Sequence, residues 1–115
     1  MTTTGLRTII YPVKDLAAAK AVQAALLGVE PYADQPYYVG FRVGDQEVGL
    51  DPNGHAQGQS APIGYWDVPD VAAAVARLVD AGATIRTEPR DVGGGKIIAT
   101  LADADGNVFG LAQAP

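Results

Sequence analysis

The sequence contains no cysteine and a single histidine. Without cysteine there are no disulfides, no thiol nucleophile and no cysteine-ligated zinc, a usage that fits a reducing cytoplasm. The one imidazole, His55, stands in the small polar stretch 52–61 (PNGHAQGQSA). A tight metal site needs several convergent ligands, and His55 with Ser60 in the same loop has no third group to orient it as a nucleophile–base pair. Positive charge is scarce as well: 8 Lys and Arg stand against 13 Asp and Glu, for a net charge of −5. The basic residues are scattered, so the concentrated positive surface that displaces counterions from nucleic acid is missing, and that class of partner is excluded. No apolar run is long enough to span a bilayer. Residues 1–8 (MTTTGLRT) carry neither a hydrophobic core segment nor a small-residue cleavage site, so no secretory signal is expected. The expectation is a soluble cytoplasmic protein with no membrane partner.

What is present is a chain of 115 residues, the length of one domain, expected to bury roughly two-thirds of its unfolded surface without staples. Residues 6–13 (LRTIIYPV) are β-rich, with Pro12 marking an edge or bulge near the end. Asp15 is a good N-cap for a helix over Leu16–Leu27, whose apolar residues Leu16, Ala19, Val22 and Leu26 recur at steps of three and four, and Gly28 supplies a left-handed stop. Strands are expected near Val29–Tyr32, Tyr37–Val43 and Glu47–Asp51, the last two joined by a tight turn at Gly44-Asp45-Gln46. Residues 52–61 read as a linker. The pattern then restarts: a strand over 63–68 (IGYWDV), Asp70 as N-cap, a helix over Val71–Ala81, Gly82 as stop, and strands near Thr84–Arg86, Lys96–Ala102 and Val108–Gln113. Gly93-Gly94-Gly95 before Lys96 lacks the spacing of a phosphate loop and reads as a flexible hairpin loop.

The two halves match directly. DLAAAKAVQAALLG (15–28) aligns with DVAAAVARLVDAG (70–82), and GDQEVGL (44–50) with DGNVFGL (105–111). Strand, aspartate cap, alanine-rich helix with glycine stop, and a hairpin ending in Gly-Leu recur in one order. The spacing of about 55–61 residues is too long for a solenoid, and only two copies are present. The economical reading is an α+β protein built from a duplicated βαβββ unit, with module one at about 5–51, a linker at 52–61 and module two at about 62–113, all in a single domain spanning 1–115.

YPVKDLAAA (11–19), DVPDVAAAVARLVDAGA (67–83) and LADADGNVFGLAQ (101–113) resemble the glyoxalase/bleomycin-resistance/dioxygenase, or vicinal oxygen chelate, family. The Asp-x-Asp-Gly-Asn run entering the last strand is the most specific part, with Ala104 where the family usually has proline. The resemblance implies two βαβββ modules curled into an open half-barrel with a concave cleft, often paired across two chains. It also implies a divalent metal held by His, Glu or Gln, one ligand from the first and one from the last strand of each module. Carried over, the first-strand positions are Thr8 and Ile63, each seven residues before its capping Asp, and the last-strand positions are Gly49 and Gly110. None of these side chains suits a borderline divalent metal, so no metal and no other cofactor is expected.

Strand alternation assigns the rest of the cleft. If Thr8 and Ile63 face it, so do Ile10, Tyr65 and Asp67, joined in the closing strands by Glu47, Asp51, Val108 and Ala112. Ile9, Tyr11, Val13, Val48, Leu50, Trp66, Phe109 and Leu111 then pack beneath the helices. The candidate ligand-binding residues are Thr8, Ile10, Glu47, Ile63, Tyr65, Asp67 and Val108, with Tyr37 and Tyr38 at the cleft rim or a dimer contact. Such a surface suits a small aromatic or cationic molecule. Three readings stay open: a metal-free binder of the bleomycin-resistance type, a metal-dependent lyase or dioxygenase with a site shifted to Glu47, Asp67 or His55, and a ligand-free accessory domain. A symmetric homodimer is expected, because half-barrel sheets leave strand edges to cover.

Overall fold

The computed structural model describes residues 3–115. Met1 and Thr2, part of the stretch read for a targeting signal, lie outside the described residues. The fold is α+β and repeats the βαβββ order twice: β1 (Gly5–Pro12), α1 (Leu16–Leu27), β2 (Ala33–Gln35), β3 (Tyr38–Val43) and β4 (Gln46–Asp51), then β5 (Ile63–Asp67), α2 (Val71–Asp80), β6 (Thr84–Asp91), β7 (Ile97–Ala102) and β8 (Val108–Gln113). A 3-10 turn, His55–Gln57, lies within the expected linker. Among the described residues no helix is long and apolar enough to cross a membrane. The described residues form two compact units, Arg7–Ile63 and Gly64–Pro115, the second including residues 3–6.

In the first unit the strands run in the order β2-β3-β4-β1. β1 pairs parallel with β4, placing Thr8 opposite Glu47 and Ile10 opposite Gly49, while β3 and β4 are antiparallel. Asp15 caps α1 by accepting from the Ala18 N–H at 3.0 Å, and Gly28 ends it with φ of 70°. One sheet face packs on the helix: Val39, Phe41 and Leu50 are fully buried with Tyr11, Val13, Leu16, Ala19, Ala24 and Leu27 against them. The expected helical stripe was partly misplaced. Val22 and Leu26 are 65% and 72% exposed, and the face in use runs through Leu16, Ala19, Ala24 and Leu27. Alanine and leucine surround α1 almost completely, so apolar spacing alone does not select a side. β2 also begins later than expected. Pro31 interrupts the apolar run 29–32 and has no N–H to pair, and Tyr32 instead donates its backbone N–H to Gly40 at 2.9 Å.

In the second unit the order is β5-β8-β7-β6. Asp70 accepts from the Ala73 N–H at 3.1 Å, and α2 lays Val71, Ala74 and Val75 onto Ala99, Leu101 and Leu111. The main correction is β6, expected to stop at Arg86 but continuing to Asp91 as the outer partner of β7, with register shifts after Ile85 and Thr87. Charge, Pro89 and these irregularities mask its strand signal and also blunt its free edge. Gly93, Gly94 and Gly95 all take positive φ in the β6–β7 hairpin loop.

Candidate functional site

The face of the first sheet opposite α1 carries the polar cluster. Alternation turns Tyr38, Gly40 and Arg42 of β3 and Glu47 and Gly49 of β4 away from the helix. Because Gly40 and Gly49 have no side chains, Tyr32 and Tyr38 pack closely over them. A Cβ on Gly40 would sit 2.9 Å from Tyr32 Cε1 and from Tyr38 Cε2; one on Gly49 would sit 2.5 Å from Ile10 Cδ1 and closer still to the Tyr38 hydroxyl. Both hydroxyls donate to the same carboxylate oxygen, Glu47 Oε2, at 2.7 Å each. Arg42, the cross-strand neighbour of Glu47, lays its guanidinium 3.8 Å from the centroid of the Tyr32 ring, and its Nε is 3.8 Å from Glu47 Oε1. The result is a carboxylate with one oxygen saturated by phenols and the other beside a cation over an aromatic face.

The electrostatics follow from this packing. Burial, reinforced by donation to the Glu47 carboxylate and by its charge, pushes the Tyr32 hydroxyl from an ordinary 10.0 up to about 12. The same causes, burial foremost, raise Tyr38 further. A raised folded-state value means that the protonated phenols stabilise the fold fully below pH 10, and that this contribution is lost as pH climbs through the folded values. In an alkaline titration followed by tyrosinate absorbance, Tyr32 and Tyr38 should stay protonated through the ordinary range while the backbone circular dichroism is still native. Glu47→Gln should move both downward by removing the negative charge. Ionisation of every tyrosine together near pH 10 in folded protein would contradict this geometry.

The second unit resolves its glycine differently. Tyr65 of β5 is in register with Gly110 of β8, and its ring covers the place where a Cβ would stand, with Cγ 2.7 Å from that point and other ring carbons nearer. On the same face of this unit Thr100, Ala102 and Ala112 are buried as well, while Asp67, Ile98 and Val108 are partly exposed. The expectation that Tyr65 borders open solvent is corrected, since it is only 6% exposed. Trp66 is corrected in the opposite sense. Its register with Leu111 puts it on the helix side as alternation requires, yet it is 39% exposed and no part of the buried cluster.

Of the seven candidate residues, Thr8, Ile10 and Glu47 come together on one face of the first sheet. Tyr65, Asp67 and Val108 share one face of the strands in the second unit, Asp67 in register with Ala112 and Val108 with Ala102. Ile63 is buried at the start of β5. Sequence reasoning missed Tyr32 and Arg42 and gave Tyr38 only a place at the cleft rim or a dimer contact. The available signal was Arg42 directly across the hairpin from Glu47, a pair that the turn at 44–46 fixes.

A metal does not fit the family positions. Thr8 and Ile63 offer no suitable donor, and the space that a ligand at Gly49 or Gly110 would need is filled by tyrosine. Among the described residues no group of three or more His, Cys, Asp or Glu is placed to hold a metal ion. On the other side of the first sheet, Tyr11, Val13, Ala19, Val22 and Leu50 line an apolar groove of about 280 Å³ beside α1. With Gln23 and the Tyr11 hydroxyl as its polar side-chain groups, it lacks the charged and convergent polar groups of a specific site.

None of the curated proteins compared matches the sequence. Solved structures share its fold at low identity. Methylmalonyl-CoA epimerase from Mycobacterium tuberculosis superposes with a TM-score of 0.72 at 20% identity, covering 99% of this chain and 91% of that one. A protein described as NAD-dependent benzaldehyde dehydrogenase from Legionella pneumophila gives 0.74 at 15% identity, covering 94% and 98%. The Mn(II)-bound glyoxalase from Novosphingobium aromaticivorans gives 0.73 at 22% identity, covering 97% of this chain but 39% of that longer one. A family model matches residues 5–111. The chain therefore belongs to the Glyoxalase/Bleomycin resistance protein/Dioxygenase superfamily.

Proposed function

We propose that this chain is a metal-independent member of the superfamily that binds a small organic molecule, cationic or aromatic, at the Glu47 carboxylate. The observation that carries the reading is the replacement of both last-strand ligand positions by glycine, with Tyr38 and Tyr65 packed into the vacated space. Chemistry that needs two open coordination positions has no ligand set here. What the first unit offers instead is a preorganised acceptor: Glu47 is held by two phenols and its side chain is 16% exposed. In such a partly desolvated place a carboxylate attracts a cation more strongly than it does in water, and the adjacent tyrosine faces favour cationic and aromatic groups.

The test pairs metal analysis with a binding measurement. Purified protein should hold well under one equivalent of any transition metal, and chelator should leave its melting temperature unchanged. Benzamidine should bind measurably by calorimetry, benzoate should not, and Glu47→Gln should abolish benzamidine binding. Stoichiometric metal removable by chelator with loss of stability would overturn the reading in favour of a metal-dependent enzyme with a shifted site. Absence of benzamidine binding to any form of the protein would overturn it as well.

A further inference from the structure

Arg42 makes two weak contacts within the cluster. Its guanidinium stacks on Tyr32 at 3.8 Å and faces the oxygen of Glu47 that the phenols leave open, yet its Nε stays at 3.8 Å and the side chain remains 64% exposed. Each partner is therefore engaged loosely. A cation over an exposed ring contributes little, and a solvent-exposed ion pair is comparably weak. Everything else in the cluster is fixed: Glu47 by two hydrogen bonds of 2.7 Å, and the tyrosines by close packing over Gly40 and Gly49. The ring face and the open carboxylate oxygen form a recognition surface for a planar cation, and Arg42 reaches it from the neighbouring strand.

We infer that Arg42 is a tethered stand-in for the ligand: the site selects planar guanidinium or amidinium groups, and an incoming molecule must displace the Arg42 guanidinium from between Tyr32 and Glu47. This inference rests on the proposed binding role of Glu47 and adds the ligand's headgroup and an intrinsic competitor. A site occupied by its own side chain binds more weakly in proportion to the fraction of time it is free. Removing the competitor therefore strengthens binding, although a residue lining the site has been deleted.

The experiment is calorimetric titration of benzamidine into the full chain and its variants. Arg42→Ala should tighten binding about three- to tenfold, the range corresponding to one weak cation–π contact plus one exposed ion pair. Adding Tyr32→Leu to Arg42→Ala should erase that gain, because without the ring neither guanidinium nor amidinium has a face to occupy. In the wild type, saturating benzamidine should release the Arg42 Nε–H resonance from its ring-shifted position. If Arg42→Ala leaves affinity unchanged or weakens it while Glu47→Gln still abolishes binding, the stand-in role is wrong and the Glu47 site stands. If the gain persists in the Tyr32→Leu background, the effect is one of net charge and the stand-in role is equally wrong. If neither wild type nor Arg42→Ala binds benzamidine, the Glu47 site itself fails.

Discussion

Replacing Tyr65 by alanine should cost roughly 3–5 kcal/mol of stability, the range for emptying the site of a buried aromatic ring. Replacing Trp66, one residue on, should cost only about 1–2 kcal/mol, because partial exposure leaves a smaller buried area to lose. A reading of strand parity alone gives the opposite order, with Tyr65 in open solvent and Trp66 in the core. Parity assigns each residue correctly to its face and says nothing of how each face is covered. Tyr65 is buried at 6% exposure and fills the gap over Gly110, whereas α2 settles on Ala99, Leu101 and Leu111 and leaves Trp66 at 39%. Urea denaturation of the two variants decides the matter. Trp66 is also the only tryptophan, so native fluorescence gives a separate check: it should be quenched by iodide before unfolding. A Trp66→Ala loss equal to or larger than that of Tyr65→Ala would contradict the packing described here.

The repeated elements were legible because each rests on short-range chemistry. Asp15 and Asp70 sit where a carboxylate can satisfy free N–H groups, and the glycine turn at 44 and the Gly-Leu ends of β4 and β8 carry their own spacing. The faces of β4 and β8 followed from period-two alternation, so Glu47 was correctly set apart from Val48 and Leu50. Selection among competing apolar surfaces was not legible. α1 is apolar on nearly every side, and only its contacts with Val39, Phe41 and Leu50 fix which side is used. The candidate site was half visible for the same reason. Glu47 stood out by its charge, but its partners did not: Tyr38 reaches it from the neighbouring strand β3 by lying over Gly49, and Tyr32 reaches it from the segment before β2 by packing over Gly40, and no local pattern encodes either contact. The continuation of β6 past Arg86 is hard to read from sequence because Pro89 weakens its strand signal, yet an outer strand with register shifts tolerates what a central strand would not.

Gly110→Ala should destabilise the protein by about 1–3 kcal/mol, although a single methyl group is the only change. Neither Gly110 nor Gly49 has positive φ, so both backbones accept alanine without strain, and loss of unfolded-state freedom by itself would make the substitution stabilising by roughly 0.4–1 kcal/mol. The obstacle is the neighbour. A Cβ at 110 would meet Tyr65 at Cγ, Cδ2 and Cε2, ring atoms close to the backbone that cannot swing aside while β5 and β8 stay in register. At Gly49 the opposing atoms are the Tyr38 hydroxyl and Cε1 and Ile10 Cδ1, the far ends of side chains. Gly49→Ala should therefore cost less, about 1 kcal/mol or below, chiefly by disturbing the Tyr38 hydrogen bond to Glu47. A double-mutant cycle isolates the cause: in a Tyr65→Ala background, Gly110→Ala should become neutral or stabilising, giving a coupling energy of about 1–3 kcal/mol. Additive losses would show that Gly110 is needed for some reason other than the tyrosine ring. The same geometry sets the consequence for metal binding. A Glu, Gln or His introduced at 110 begins with the same Cβ, so the single substitution should lower stability before it confers any metal affinity. A ligand at that position requires removal of Tyr65 first.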